Sequence, residues 1–372
     1  MKTTNPNNNV GSNLVLAQDA FTQFGGAERV FEGAQELYPE SPIYTLAVDP
    51  SLTERMKNWK VVTSPLQFIY NLHPHLTHLF LMIPVVLEFW KPKQGKVLLS
   101  FSSSYIKGLK KPKGAVHINY CHTPTRFLWI DPEQALKEIP SFLHKLAKLY
   151  FGWLKQWDLV AANNVNYFIA NSREVQRRIK QVYNRDSEIV YPFVDVNFWK
   201  PTIAKQDYFL IAGRLQYAKG LEIVIEAFNE LGWPLHVVGT GRYESHLKKI
   251  AKSNVKFFGK LADEQLRDQY SGAKGFIYPQ FEDFGMMPLE AAACGTATIG
   301  LAKGGSLETI IPNETGELLE SITAQTLIEA LRSWNHEKYQ QDNMLAHAQK
   351  FSKQIFQEKL SAIVTKHLGE NI

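Results

Sequence analysis

The chain has 372 residues, of which 45% are hydrophobic and 21% are charged, and its formal net charge is +5. This length exceeds the usual size of one hydrophobic core, so two domains are expected, and the composition is ordinary for a soluble globular enzyme. The small positive charge allows anionic ligands or a membrane surface, but no nucleic-acid motif accompanies it, and no nucleic-acid partner is expected. The two cysteines, Cys121 and Cys294, cannot alone form a disulfide framework or a zinc site, which favours a reducing, cytoplasmic compartment.

Two segments bear on membrane insertion. Residues 1–13 are polar and rich in asparagine, without the apolar core of a signal peptide. Residues 76–90 form the most hydrophobic run, but it is too short for a spanning helix and contains Pro84 and Glu88. The sequence therefore predicts a protein that is not integral to a membrane.

Short apolar runs alternate with helical patterns along the chain, which is typical of parallel α/β sheets. In the first half the pattern predicts strands at 14–17, 42–48, 96–101, 115–120 and 167–172, and helices at 27–38 and 142–162. In the second half it predicts strands at 207–213, 234–241, 255–259, 275–279 and 297–300, and helices at 221–231, 243–252, 264–273 and 288–294.

This order predicts two doubly wound, Rossmann-like units facing an interdomain cleft, with ligands at the carboxyl ends of the strands. Residues 191–206 contain two prolines and no clear periodicity, so they are the expected connection. Residues 351–368 have the pattern of an amphipathic helix, and no strand follows it.

The first candidate motif is QFGGAERVF, between the first strand and the first helix. Gly25 and Gly26 let the backbone approach a ligand and leave amides at a helix N-terminus. A tight turn from strand to helix explains the glycines equally well. No G-x-G-x-x-G fingerprint is present, which argues against a dinucleotide oxidoreductase.

The second motif, AGRLQYAKGLEIVIEAF, places Arg214 and Lys219 after the first strand of the second unit. A guanidinium and an ammonium at a strand end suit a diphosphate, although solvated loop cations are common. The third motif, YCHTPTRFLW, places His122 and Arg126 in a loop beside aromatic residues. A catalytic histidine and a structural one both fit that position.

The fourth motif is FEDFGMMPLEAAACG, with Glu282 in a loop and Glu290 in the first turn of a helix that begins at Pro288. Glu290 could simply complement the helix dipole, but Met287 stands three residues earlier, so a capping box is incomplete. Ionised carboxylates accept hydrogen bonds from vicinal hydroxyls, as in a ribose or another sugar. The motifs therefore predict cations for a diphosphate and acids for the sugars on either side.

The ordered motifs GGAERV, YCHTPTRFLW, GRLQYAKGLEIVIEAF and FEDFGMMPLEAAACG resemble those of retaining GT-B glycosyltransferases whose signature is Glu, seven residues, Glu. Within that group they resemble bacterial mannosyltransferases of O-antigen and exopolysaccharide assembly. The resemblance extends over about residues 14–365. It implies a hexosyltransferase with an acceptor-side domain at 1–195, a donor-binding domain at 196–350, and a final helix at 351–372 that crosses back to the first domain.

The resemblance also implies roles for the candidate residues. Arg214 and Lys219 bind the donor diphosphate, Glu282 faces the transferred sugar, and Glu290 holds the ribose. Further donor contacts are expected from Leu261, Asp263, Phe284, Gly285, Met286 and Met287, the last four through their backbone. In the first domain, the amides of Gly25 and Gly26 reach the distal phosphate, His122 contacts the sugar near the reacting carbon, and Arg126 lies on the acceptor side.

The sequence contains no Asp-x-Asp pair, so a bridging metal has no obvious ligands, and no metal or other cofactor is expected. Arg214, Lys219 and helix N-termini would then stabilise the leaving phosphate. The resemblance implies a retaining, same-face transfer in which the departing phosphate oxygen accepts the acceptor's proton. The acceptor is expected to be a saccharide or a lipid-linked saccharide.

Three other functions are open at this point. A retaining glycoside hydrolase also uses paired carboxylates, about 5–5.5 Å apart, but has no use for a diphosphate clamp. A nucleotide-sugar epimerase shares the two-unit architecture and would exchange a proton of the donor sugar with solvent. A non-catalytic partner would bind the donor without turnover.

The expected donor is GDP-mannose, with UDP-glucose as the alternative. Guanine has two adjacent N–H donors on its pairing edge and uracil has one. A carboxylate from Asp263 or Glu264, where relatives hold the base, would therefore favour guanine. Alternatively, Asp263 is the N-cap of a helix that begins at Glu264, and it is then indifferent to the base.

Between Trp90 and Asp131 the chain has seven lysines and Arg126 but no acidic residue. Residues 140–157 then place aromatic and aliphatic side chains among three lysines. Such a helix can lie in an anionic interface, so peripheral contact with the cytoplasmic face of the inner membrane is expected. The alternative is a helix that packs on the first domain with a solvated outer face.

Overall fold

The computed structural model describes residues 13–72, 81–137 and 139–369. The chain divides into two compact units, the first ending at Tyr191 and resuming at Phe356, the second comprising Pro192–Ile355. Each unit is an α/β layer structure around a parallel sheet, so the expected fold class is confirmed. Most of the polar N-terminal segment and part of the apolar run at 76–90 lie outside the described residues.

In the described part of the first unit, seven parallel strands pair in the order β3-β2-β1-β4-β5-β6-β7. The strands are β1 Leu14–Gln18, β2 Ile43–Thr45, β3 Val61–Thr63, β4 Val97–Ser102, β5 Val116–Cys121, β6 Tyr167–Ala170 and β7 Ser187–Ile189. The helices are α1 Gly26–Leu37, α2 Leu66–Leu72, α3 Ile83–Phe89, α4 Arg126–Trp129, α5 Pro132–Lys137, α6 His144–Asn163 and α7 Arg173–Tyr183. The central strands β1 and β4 are buried on both faces, as expected of a parallel sheet covered by helices.

In the second unit, six parallel strands pair in the order β10-β9-β8-β11-β12-β13. The strands are β8 Phe209–Ala212, β9 Leu235–Val238, β10 Val255–Gly259, β11 Gly275–Tyr278, β12 Thr298–Leu301 and β13 Gly316–Leu319. The helices are α8 Leu221–Leu231, α9 Glu244–Ile250, α10 Asp263–Gly272, α11 Met286–Ala293, α12 Ser306–Thr309, α13 Ala324–Arg332 and α14 Gln341–Gln349. Ile211, Val237, Ile277 and Ile299 contribute to its core from four neighbouring strands.

The strands that the sequence pattern did not predict are the outermost ones. β3 and β7 have three residues each and lie at the two edges of the first sheet, and β13 lies at one edge of the second. An edge strand needs neither length nor continuous apolar character, because one side has no neighbour and its faces are partly solvated. A periodic pattern is therefore weakest where the sheet ends.

The last helix, α15 Lys353–Gly369, passes from the second unit to the first. Phe356 packs edge-on against Tyr120, with ring centroids 6.1 Å apart, and Gln357 Nε2 donates to Gly33 O at 2.9 Å. The units divide at 191/192 and 355/356, whereas the sequence placed the divisions at 195/196 and 350/351. The reason for the difference lies in Val194, which bridges Ser352 and donates its N–H to Phe351 O at 2.9 Å, so this segment belongs to the second unit.

Candidate active site

Each sheet has one point at which the chain order reverses direction. This point lies between β1 and β4 in the first unit and between β8 and β11 in the second. Loops that leave the carboxyl ends of strands at such a point diverge, and the crevice between them is where open α/β sheets bind ligands. Arg214 and Lys219 follow β8, Glu282 follows β11, and Gly25 and Gly26 follow β1.

The loop after β8 is held against the loop after β9. Gly213 has φ +124° and Gly239 has φ +130°, and a Cβ on Gly239 would lie 1.9 Å from Gly213 O. This backbone contact requires glycine and fixes where the chain leaves β8. Arg214, the next residue, is exposed, and in the described part of the chain no side chain forms an ion pair with it. Its guanidinium is therefore accessible to an anion.

Lys219 and Glu282 form an ion pair between Nζ and Oε1, although they lie 63 positions apart in the sequence. Gly220, with φ +68°, is the N-cap of α8, and a Cβ there would lie 3.2 Å from Pro279, which follows β11. This close approach of the two loops positions the pair at the reversal point of the sheet. The Lys219 side chain is 19% exposed and that of Glu282 is 33% exposed. The ammonium thus has further protons, and the carboxylate a second oxygen, for a ligand.

α11 begins earlier than the sequence pattern predicts. Its first residue is Met286, after Gly285 with φ +83°, so Pro288 is the third residue and Glu290 lies in the second turn. The prediction of Pro288 as the first helical residue and Glu290 in the first turn is wrong. The first four N–H groups of a helix need no intrahelical partner, so proline is tolerated at the third position as well. Glu290 therefore does not complement the helix dipole as a first-turn acid.

Glu290 is 7% exposed and accepts a hydrogen bond from Tyr270 Oη at 3.4 Å. Burial, together with the negative charge of Glu290, raises the pKa of the Cys294 thiol to about 12. This cysteine is therefore an inert, neutral thiol. Burial and, next in size, the charge of Glu282 raise the pKa of Tyr278, and Glu290 adds to this effect. The charges of both carboxylates thus reach Tyr278, the last residue of β11.

The residues expected to contact the donor through their backbone lie between these two acids. Phe284 is buried, and a Cβ on Gly285 would lie 3.0 Å from Tyr278 Oη. Met287 borders the β8 loop, because its Sδ would lie 3.5 Å from a Cβ on Gly213. The segment therefore packs against both the β8 loop and the end of β11, as expected of a segment that binds the donor.

A supporting loop that sequence reasoning missed follows β12. Gly305 N donates to Glu282 O at 3.0 Å, and a Cβ on Gly305 would lie 2.0 Å from Phe284 O. Gly304 has φ +62°, and a Cβ there would lie 2.5 Å from Glu282 O. The glycine pair at 304 and 305, in the loop after the strand predicted at 297–300, was the available signal for this contact.

Leu261 is half-buried and Asp263 is exposed. α10 begins at Asp263 itself and its N-cap is Ala262, whose N–H donates to Gln265 Oε1 at 3.1 Å. The interpretation of Asp263 as the N-cap is therefore wrong. Ala262 holds that position, and the Gln265 side chain accepts its backbone N–H. Asp263 still stabilises the first turn through the helix dipole.

At the start of α1, Gly25 N donates to Glu28 Oε2 at 2.9 Å. The expectation that the amides of Gly25 and Gly26 are both open to a phosphate therefore needs correction. A phosphate that takes the Gly25 amide must displace the Glu28 carboxylate. Anion binding at this helix N-terminus is nevertheless favourable, since a carboxylate already occupies it.

Asp19 links the loops after β1 and β4 at the reversal point of the first sheet, and sequence reasoning did not identify it. Its carboxylate follows β1 and accepts four backbone N–H groups from the segment after β4, at 2.6 to 2.9 Å. These donors belong to Ser103, Ser104, Tyr105 and Ile106. The carboxylate is fully used within its own unit, so its role is to fix the two loops.

His122 follows β5 and is 8% exposed. The backbone N–H of His122 donates to Ser102 O at 2.8 Å, and its backbone carbonyl accepts from Asn171 Nδ2 at 3.0 Å. Burial lowers the pKa of the ring to about 4, so the imidazole is neutral near pH 7. No described residue forms a hydrogen bond with its Nε2. A buried, neutral ring with an open nitrogen is suited to a hydrogen bond with a ligand hydroxyl.

The loop after His122 is anchored by a buried charge network. Lys107 Nζ lies 2.5 Å from Asp158 Oδ1, and both side chains are 1% exposed. Asp158 also accepts from Thr125 Oγ1 at 2.7 Å, Trp129 Nε1 at 2.9 Å and Tyr183 Oη at 2.8 Å. None of these contacts was apparent from the sequence, because their members lie in four distant segments.

Arg126 begins α4, and its Nη1 lies 3.1 Å from Asp131 Oδ2. Their side chains are 40% and 50% exposed, so the pair contributes little to stability. Its acceptor-side role stays a prediction. In the part of the chain that the structure describes, no group of three or more His, Cys, Asp or Glu side chains is arranged to hold a metal ion. None of the described helices combines the length and apolar character needed to cross a bilayer.

Comparison with known proteins bears on this geometry. Over 218 residues the chain is 28% identical to an O-antigen chain mannosyltransferase C of Escherichia coli, covering 52% of this chain and 57% of that protein. Over 175 residues it is 28% identical to a GDP-mannose-dependent alpha-mannosyltransferase of Corynebacterium glutamicum, covering 47% and 42% respectively. The chain thus spans about half the length of these relatives.

Among solved structures, the chain is similar to Anabaena Alr3699/HepE in complex with UDP, with a TM-score of 0.70 and 17% identity over 95% of this chain and 99% of that one. At this identity the similarity supports the GT-B fold alone. The model of the family described as glycosyl transferases group 1 matches residues 194–351, which contain Arg214, Lys219, Glu282 and Glu290. The second unit of this chain is therefore a glycosyl transferases group 1 domain.

Proposed function

We propose that the chain is a retaining hexosyltransferase that moves mannose from GDP-mannose to a saccharide or lipid-linked saccharide in polysaccharide biosynthesis. The observation that carries the proposal is the ion pair of Lys219 and Glu282, at the reversal point of a glycosyl transferases group 1 domain. The accessible Arg214 follows the same strand as Lys219. This arrangement offers cations to a diphosphate and a carboxylate to the hydroxyls of a sugar.

In the proposed reaction, Arg214 and Lys219 bind the two phosphates of the donor. As the bond between the anomeric carbon and the phosphate oxygen breaks, negative charge grows on that oxygen, and the two cations stabilise it. The acceptor hydroxyl attacks the same face of the sugar, and its proton passes to the departing phosphate oxygen. A new carbon–oxygen bond forms, and the free nucleoside diphosphate leaves.

Glu282 has two functions in this proposal. Its carboxylate accepts hydrogen bonds from hydroxyls of the transferred sugar, and its contact with Lys219 orients the ammonium before the donor binds. Glu290 holds the ribose, and the backbone at Phe284, Gly285, Met286 and Met287 contacts the diphosphate side of the donor. Leu261 and Asp263 flank the base.

The first unit supplies the other proposed contacts. His122 presents its open Nε2 to the sugar near the reacting carbon, and Arg126 binds the acceptor. The amides of Gly25 and Gly26 bind the distal phosphate once it has displaced the Glu28 carboxylate from Gly25 N. We propose a cytoplasmic location with peripheral contact at the inner membrane. Both cysteines are free thiols, which suits a reducing compartment.

The donor is tested by thermal unfolding with GDP and UDP at equal concentration. A nucleotide at 100 times its Kd should stabilise the fold by about 2.7 kcal/mol. GDP should raise the Tm of the wild type and raise it less in Arg214→Ala, whereas Lys249→Ala, an exposed lysine on α9, serves as the control. Protection by UDP and not by GDP would contradict the donor proposal.

UDP-glucose is the second candidate donor, because one of the solved structures similar to this chain is a complex with UDP. A panel of GDP-, UDP- and ADP-sugars, followed by slow donor hydrolysis, separates the two donors. The same assay with EDTA tests metal independence. Activity should be almost unchanged, and strong inhibition that magnesium reverses would refute that part of the proposal.

A further inference from the structure

The first unit exposes far more large apolar side chains than the second. Of the nineteen such side chains among the described residues, twelve lie in the two segments 68–89 and 142–160. Exposed apolar side chains scattered singly need no explanation, but a contiguous set marks an interaction surface. The question is what kind of partner this set fits.

Four of these side chains form a stripe along α6 and the turn before it. They are Phe142 (82% exposed), Leu146 (64%), Leu149 (73%) and Trp153 (49%). Their spacing of four, three and four residues places them on one side of the helix. We call these four residues the α6 stripe.

The opposite side of α6 is buried. Leu154, Asp158 and Ala161 lie in the interior, whereas Lys145 and Lys148 are exposed beside the α6 stripe. The helix therefore has three sides: one packed in the core, one apolar and exposed, and one basic. The core contact is complete without the stripe, so folding of the described unit leaves those four side chains unused.

α2 and α3 lie in the same layer as α6. Tyr70 of α2, Leu87 of α3 and Leu154 of α6 share one core cluster with Val15 and Leu98 of the sheet. These helices therefore cover the same face of the sheet. Their outward sides also carry exposed apolar residues, namely Phe68 and Leu72 on α2, Leu81 just before α3, and Val85 and Phe89 on α3.

We propose that this helical layer is a docking surface for an anionic lipid membrane, in which the α6 stripe enters the interface and Lys145 and Lys148 bind lipid phosphates. The charge supports this partner. Lys91 and Lys93 directly follow α3 and are exposed, and Glu88, the acid of α3, already pairs with Lys110 at 3.1 Å. Trp153 stacks on Tyr150 with centroids 5.6 Å apart, an aromatic pair of the type enriched at membrane interfaces.

A second copy of the chain fits this surface less well. A two-fold interface brings the same patch of both copies together, so the lysines beside the α6 stripe would face each other.

Not every lysine of this basic region is available to lipid. Lys107 is buried against Asp158, so it belongs to the core and not to the surface.

The surface is tested by flotation with vesicles of phosphatidylcholine containing phosphatidylglycerol, without any donor or acceptor. The wild type should float with these vesicles at low salt, less at high salt, and not with phosphatidylcholine alone. Because each basic residue near an anionic surface contributes about 1 kcal/mol, Lys145→Glu combined with Lys148→Glu should lower partitioning by about thirtyfold or more. Lys249→Glu with Lys256→Glu, two exposed lysines of the second unit, should have no comparable effect.

Insertion is tested separately. Leu149→Cys labelled with an environment-sensitive dye should brighten and shift to the blue on vesicles, whereas labelled Leu307→Cys, exposed in the second unit, should not. Both native cysteines are buried, so labelling is specific. The proposal is overturned if the wild type does not bind anionic vesicles, if both lysine pairs matter equally, or if the α6 stripe instead mediates a dimer in light scattering. This surface locates the peripheral membrane contact proposed above, so failure here would overturn that contact. None of these readouts depends on glycosyl transfer, so the proposed transfer reaction would stand.

Discussion

Two lysine–carboxylate pairs, one in each unit, show how differently the same chemistry can be used. Lys107 and Asp158 are each 1% exposed, and Thr125, Trp129 and Tyr183 complete the hydrogen bonds of the carboxylate. The side chains of Lys219 and Glu282 are 19% and 33% exposed, and they lie on the loops that leave the carboxyl ends of β8 and β11.

The difference lies in which groups are left for a ligand. The buried pair is satisfied by its own unit, so it fixes the loop that carries His122 and has no remaining capacity. The half-buried pair of Lys219 and Glu282 orients its two side chains but keeps ammonium protons and carboxylate lone pairs available to a ligand. We therefore expect removal of the first pair to change stability and removal of the second to change activity.

The largest effect should come from Asp158→Asn. This change leaves the Lys107 ammonium buried without a counter-charge, which typically costs about 3–5 kcal/mol of unfolding free energy. Urea denaturation of the isolated protein measures it. The double change Lys107→Met with Asp158→Asn should recover part of the loss, because no charge is then left unpaired. A loss below about 1 kcal/mol would show that the pair is not structural.

The next effect concerns the half-buried pair of Lys219 and Glu282. Lys219→Ala and Glu282→Ala should each raise the barrier to transfer by about 3 kcal/mol, or on the order of a hundredfold in rate, because each removes a preorganised group. The unfolding free energy should change by less than about 1 kcal/mol, since the pair is partly solvated. Lys248→Ala, which breaks an exposed pair with Glu244 on α9, is the matched control. Near-normal turnover in either site variant would refute the site.

A smaller effect is expected in the pH dependence of the unfolding free energy. Burial holds the pKa of His122 near 4, below its ordinary value of 6.5. Between these values the unfolded chain binds more protons than the folded one, so stability falls as pH falls from about 6.5 to 4. From pH 7 to pH 5 this contributes about 2 kcal/mol.

His122→Gln should reduce that loss, which urea denaturation at the two pH values measures. His117 contributes with the same sign, because burial lowers its pKa to about 3, and its replacement by glutamine gives the comparison. An unchanged pH dependence in His122→Gln would mean that folding does not lower the pKa of the His122 ring.

The smallest effect should come from Arg126. Its pair with Asp131 is exposed, so Asp131→Asn should change the unfolding free energy by less than about 1 kcal/mol and leave transfer unaffected. Arg126→Ala should raise the KM for the acceptor with little change in kcat or stability. Equal effects of the two substitutions on KM would argue that the pair, and not the arginine, matters.

Sequence alone determined the alternation of strands and helices and the position of the motifs at strand ends. Leu221–Leu231 was predicted with its observed bounds, because apolar periodicity between two glycines is a local signal. Arg214, Lys219 and Glu282 were placed after strands for the same reason: the end of an apolar run is visible in the residues themselves.

The tertiary structure decided which of those residues meet and which are buried. The contact of Lys219 with Glu282 depends on the neighbouring positions of β8 and β11, and strand order is not a local property of the chain. The same is true of Asp19 and Asp158, whose partners come from distant segments, and of the start of α11, where Gly285 with positive φ and not Pro288 ends the loop. Periodicity identified α6 as amphipathic, but only the packing of its other face showed that the α6 stripe is left exposed.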